Sequence, residues 1–161
     1  VTWKSMPPAE VCDVMDFWIA APWPLSEDET QQRAVERFGW TTEVENGRSY
    51  LMNTVSNFTF PDVMTIEVKN VMRAMSLDTS DSIRDLTPES TDFLNDAFTL
   101  MVREGQARWG KPTLQNFKDT PSARWNVDGG ARVTFRFNPK GLSATFETPQ
   151  GAEIERKLGD R

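Results

Sequence analysis

The sequence predicts an α+β fold: an antiparallel sheet, or two, with helices packed on one face, in the order helix, helix, three to four strands, helix, three strands, helix. Three observations carry this prediction. Apolar residues recur at helical spacing near the start and in the middle of the chain. They alternate with polar residues in the segments between and after those helices. An Asn46-Gly47 pair and two further glycine-containing turns then join strands of matching length.

Pro7 and Pro8 open the first helix, in which Val11, Val14, Met15, Trp18 and Ile19 form an apolar stripe that ends before Pro22 and Pro24. Ser26 and Glu29 have the spacing of a capping box for a second helix that ends near Phe38-Gly39. Trp40, Thr42 and Val44 then alternate up to Asn46-Gly47, a pair suited to a type I′ hairpin turn that sets Glu45 opposite Arg48 and Val44 opposite Ser49. Met64, Ile66 and Val68 alternate again, and Lys69-Asn70 turns the chain into a strand over 71–77.

Thr87-Pro88 is an N-cap followed by proline at the first helical position, predicting a long helix from Pro88 to Trp109 stopped by Gly110 and Pro112. Gly105 within it costs about 1 kcal/mol relative to alanine. In the last third, a turn at 138–141 pairs Phe137 with Leu142, Phe135 with Ala144, Val133 with Phe146 and Arg132 with Glu147. A turn at 128–130 sets Trp125 opposite Val133 and Ala123 opposite Phe135, and a short helix near 152–158 closes the meander. Arg37-Phe38-Gly39 and Arg108-Trp109-Gly110 end the helices that precede the two strand blocks, which hints at two related halves.

Composition narrows the function classes. The 161 residues suit one domain, 1–161, with 38% hydrophobic and 26% charged residues, enough to bury a core. There is no run of ~18 apolar residues and no basic-then-apolar start over 1–9, so neither membrane insertion nor export is expected and the chain reads as cytoplasmic. Cys12 is the only cysteine and reads as a buried, inert thiol. The sequence has no histidine, which excludes histidine-based acid/base, nucleophile and metal chemistry. No phosphate-cradling glycine motif and no Cys-x-x-Cys occurs, so no cofactor and no metal is expected, and nothing selects a catalytic carboxylate pair.

The net charge of -6 is uneven: -5 over 1–60, -3 over 61–120 and +2 over 121–161. An acidic surface repels nucleic acid and anionic membrane and attracts a basic protein. The first expectation is therefore a non-enzymatic binding domain, an immunity-type inhibitor or chaperone, that meets a basic protein partner through Asp13, Asp16, Glu27, Asp28, Glu29, Glu43 and Glu45, with Trp23 as aromatic anchor. The alternative is a small-ligand domain or enzyme with a carboxylate or arginine site. Arg124, Arg132 and Arg136 share the outer face of the last meander with Thr134, Ser143 and Thr145, where an anion could lie, although no stacking aromatic shares that face. A third reading is a homo-oligomer subunit.

The Pro7-Pro8-x-Glu10-Val11 helix start, Ala21-Pro22-Trp23-Pro24-Leu25, Glu36-Arg37-Phe38-Gly39-Trp40 and Trp109-Gly110-Lys111-Pro112 together resemble an uncharacterised actinobacterial domain-of-unknown-function family, numbered 6301. The resemblance spans nearly the whole chain and implies no activity and no site residues. The element order is also similar to that of small α+β immunity proteins and secretion chaperones, in architecture alone.

Overall fold

A computed structural model describes residues 2–159. Two helices, α1 (Pro8–Ile19) and α2 (Glu27–Phe38), precede a four-strand meander of β1 (Thr41–Glu45), β2 (Arg48–Met52), β3 (Asp62–Val68) and β4 (Val71–Asp78). A long helix, α3 (Pro88–Trp109), leads into a second meander of β5 (Thr113–Phe117), β6 (Thr120–Asn126), β7 (Arg132–Asn138) and β8 (Gly141–Glu147), and α4 (Pro149–Lys157) follows. All strands join one antiparallel sheet in the order β1-β2-β3-β4-β8-β7-β6-β5. The α+β class and the element order are as the sequence predicts, with one strand added.

That strand is β5. Its apolar Leu114 lies on the sheet edge, 71% exposed, and residues 113–116 are all exposed, so no alternation of buried and exposed residues marks them. Its turn uses Lys118 and Asp119, both at positive φ, instead of the Asn-Gly pair that signals such hairpins. The last helix also starts earlier than 152, because Thr148 and Pro149 form its N-terminus: Thr148 Oγ1 accepts from the Gly151 N-H and donates to the Met72 carbonyl. The other local signals hold. Asn46 and Gly47 both have positive φ, as do Lys69 and Asn70. Glu45 pairs with Arg48, Phe135 with Ala144, Trp125 with Val133 and Arg132 with Glu147.

The two halves repeat a pattern of helix followed by four-strand meander, and their last strands, β4 and β8, pair antiparallel at the centre of the sheet. Directly paired residues of an antiparallel sheet share a face. Leu51, Val63, Leu77, Ala144, Phe135 and Ala123 therefore form one continuous row, all buried. Trp18 and Met15 of α1 and Leu94 and Met101 of α3 fill the space above it. Edge-to-face contacts among Trp109, Trp125 and Phe135, with centroids 5.1 to 5.9 Å apart, tie α3 to the second meander. α4 crosses one end of the sheet, where Arg156 donates to Asn126 Oδ1 and to the Gly130 carbonyl.

Candidate functional site

The opposite face of the sheet carries a different chemistry. One cross-strand row there runs Met64, Ser76, Thr145, Thr134, Arg124. On one side of it lies the row Asp78, Ser143, Arg136, and on the other the row Ile66, Ala74, Glu147, Arg132. The alternating Met64 and Ile66 thus point away from the helices, 62% and 50% exposed, because Val63 takes the inward place between Leu51 and Leu77.

The arginines on this face are not equivalent. Arg132 pairs with Glu147 at 3.3 Å. Arg136 donates from Nη1 to Thr145 Oγ1 at 3.2 Å, and the Thr145 hydroxyl also bonds that of Ser76 at 2.9 Å. Among the described residues neither Arg124 nor Arg136 has a carboxylate within ion-pair distance. Burial, and then the charge of Arg124, pushes the Arg136 pKa down, against the pull of Glu147. A guanidinium remains charged through shifts of this kind, so the face holds two cations with no protein anion between them.

Two buried polar atoms lie next to each other in the central row. Arg124 Nε has no acceptor, and Thr134 Oγ1 has no partner although Thr134 is only 2% exposed. Leaving such groups unpaired costs roughly 1 to 3 kcal/mol each, which an anion within reach would offset. Beside them Met64, Ile66, Ala74, Ser76, Arg136 and Thr145 enclose a cleft of about 250 Å³. One wall is apolar, and the other carries hydroxyls and a guanidinium.

The acidic residues picked out by the sequence are split among separate roles. Asp13 and Asp16 of α1 accept from Arg108 Nη1 at 2.7 and 2.9 Å, and Asp16 also accepts from Trp109 Nε1. Arg108 further pairs with Glu104, so these charges lock α1 to α3. Glu27 accepts from Thr65 Oγ1 and lies 3.8 Å from Arg48. Glu29 completes the capping box with Ser26, whose backbone N-H, followed by its hydroxyl, lowers the carboxyl pKa. Trp23 is half-buried, donates to the Trp18 carbonyl and stacks on Phe146. Asp28, Glu43 and Glu45 stay exposed, with no ion pair among the described residues.

Other reactive groups are scarce. Cys12 is fully buried, and burial pushes its thiol pKa up to about 12. Among the described residues no group of three or more acids or cysteines could hold a metal ion, and no helix is long and apolar enough to cross a membrane. Sequence reasoning reached the arginines and threonines of the outer face through the register of the last meander. It missed the apolar wall from β3 and β4, because the pairing of β4 with β8 brings together residues about 70 positions apart, such as Ser76 and Thr145.

Among known proteins, one family model, described as a family of unknown function (DUF6301), matches residues 9–148. No curated protein and no solved structure matches the chain.

Proposed function

The chain belongs to the DUF6301 family, whose description assigns no activity, and on that premise we propose that it is a non-catalytic binding domain that holds an anionic group on the helix-free face of its sheet. The observation that supports this reading is the adjacency of Arg124 and Arg136, two partly buried guanidiniums without a carboxylate partner, to the unpartnered hydroxyl of Thr134. Charge-assisted bonds from two guanidiniums and a hydroxyl form a recognition set for a carboxylate or phosphate group. Single-site binding suits the layout better than a polyanion does. Asp78 lies in the same cross-strand row as Arg136, and Glu147 lies in the row of Arg132 on the other side of Thr145, so the repeating charges of a nucleic acid would meet carboxylates. A lone buried thiol is compatible with a reducing, cytoplasmic setting.

Titration calorimetry of the full chain with inorganic phosphate and with acetate tests the reading. Saturable binding of at least one anion, weakened tenfold or more by Arg124→Gln with Arg136→Gln, is the expected result. Absence of binding, or equal binding by the double variant, overturns it.

A second reading, an immunity-type inhibitor or chaperone that engages a basic protein, draws on the unpaired Asp28, Glu43 and Glu45. It predicts salt-sensitive capture of a basic protein from native lysate that charge reversal at these three positions abolishes. Capture unaffected by the reversal counts against it.

A further inference from the structure

We infer that the anion at Arg136 is the head of a small amphipathic molecule whose apolar body lies in the adjoining cleft against Met64, Ile66 and Ala74. The inference rests on the anion-binding reading and adds the chemical class of the ligand. Arg136 and Thr145 line the same cleft as these apolar side chains, so head and body sites are continuous. The cleft crosses the strands. From β7, which carries Arg136, to β3, which carries Met64 and Ile66, there are three strand spacings, roughly 14 Å.

Charge decides what fits along that line. Among the described residues the Arg136 end has no carboxylate within ion-pair distance, whereas Asp78 lies further along the row of Arg136 and Glu147 further along the row of Ile66 and Ala74. A ligand with one anionic end and an uncharged body meets attraction at Arg136 and no repulsion beyond it. A second anionic group would meet carboxylates.

Size and wall chemistry narrow the body. Water occupies about 30 Å³ in the liquid, so a cleft of about 250 Å³ accepts roughly eight water-sized groups, about an aliphatic chain of six carbons and part of its head. Met64 is an adaptable side chain that follows the contour of such a chain. Together with Ile66 and Ala74 it gives the chain one continuous apolar wall.

The test titrates the full chain with acetate, hexanoate, inorganic phosphate, hexyl phosphate and hexan-1-ol. A methylene fully buried tightens binding about fourfold, and half-buried about twofold. Four added methylenes in an open cleft should therefore make hexanoate at least about tenfold tighter than acetate, and the six added carbons of hexyl phosphate should make it tighter than inorganic phosphate by about fiftyfold. The hexyl compound that binds more tightly separates a carboxylic acid from a phosphate monoester. Met64→Ser with Ile66→Ser, both at exposed positions, should abolish the gain and leave inorganic phosphate or acetate bound as before. Equal affinities of short and long anions, or a gain that persists in the double serine variant, overturns the inference and leaves the anion reading standing. Hexan-1-ol bound as tightly as hexanoate and hexyl phosphate overturns it as well, because the head would then contribute nothing. If neither inorganic phosphate nor acetate binds, the anion reading falls together with the inference.

Discussion

The six-membered ring of Trp125 occupies the space that a side chain at Gly105 would need: a Cβ built on Gly105 would lie 2.7 Å from Cη2 and 2.8 Å from Cζ2 of that indole. The ring has little room to yield, since Trp125 is 2% exposed and its Nε1 donates to the Gly110 carbonyl. The glycine that looks like a weak point of a long helix in the sequence is the place where α3 settles onto the sheet.

Gly105→Ala should therefore destabilise the protein. Helix propensity alone favours alanine by about 1 kcal/mol, but overpacking a closed contact costs typically 1 to 3 kcal/mol. A net loss of about 1 kcal/mol is expected in urea denaturation. A midpoint above that of the parent would show that the indole moves aside at no cost.

Arg108 holds Asp13, Asp16 and Glu104 at 2.7 to 2.9 Å, and its own side chain is 24% exposed. Each exposed pair contributes less than about 1 kcal/mol, but removal of the shared cation leaves three carboxylates facing one another. Arg108→Ala is expected to cost about 1 to 2 kcal/mol, more at low salt than at high. A loss that does not change with ionic strength would mean that packing of the side-chain stem carries the effect.

Arg124→Met should make the protein more stable and less able to bind phosphate. The change removes a buried Nε without an acceptor and a charge that repels Arg136. A gain of roughly 1 kcal/mol follows from removing an unsatisfied buried group while keeping an apolar stem. Chemical denaturation and phosphate titration of the same variant should move in opposite senses, as expected where a site stores strain for a ligand. A destabilised variant would indicate that Arg124 has a partner within the fold.

Partial desolvation, followed by the neighbouring charge of Asp62, raises the Asp78 carboxyl above its ordinary value of 3.8. The folded chain thus holds this proton more tightly than the unfolded chain, so ionised Asp78 destabilises the fold at neutral pH, and the penalty disappears as pH falls below the ordinary value. Asp78→Asn should melt higher than the parent at pH 7, and the two melting curves should converge as the pH is lowered towards 3.8 and below. A gap that persists at low pH would point to a contact other than charge.

Much of the fold could be read locally. Capping at Ser26 and Thr87, the proline at the start of α3, the left-handed residues of the Asn46-Gly47 turn and the alternation around Phe135 depend on neighbours a few positions away, and each is realised. The register of the second meander even assigned Arg124, Arg132 and Arg136 to a common face. Strand β5 escaped because its residues 113–116 lie exposed at the sheet edge, and burial is what writes a pattern into sequence.

The sequence by itself determined the helices, every strand but β5, the inward face of the second meander and the absence of histidine chemistry, since backbone dihedral preferences and apolar periodicity act over a turn of helix or a hairpin. Only the tertiary structure decided which charges are neutralised. Asp13 and Asp16 meet Arg108 more than 90 positions away, and Met64 and Ser76 meet Thr145 and Arg136 through the pairing of β4 with β8. Electrostatic compensation and cleft formation depend on distance in space, and chain folding brings distant segments together by burying their apolar faces without regard to the charges on the opposite side.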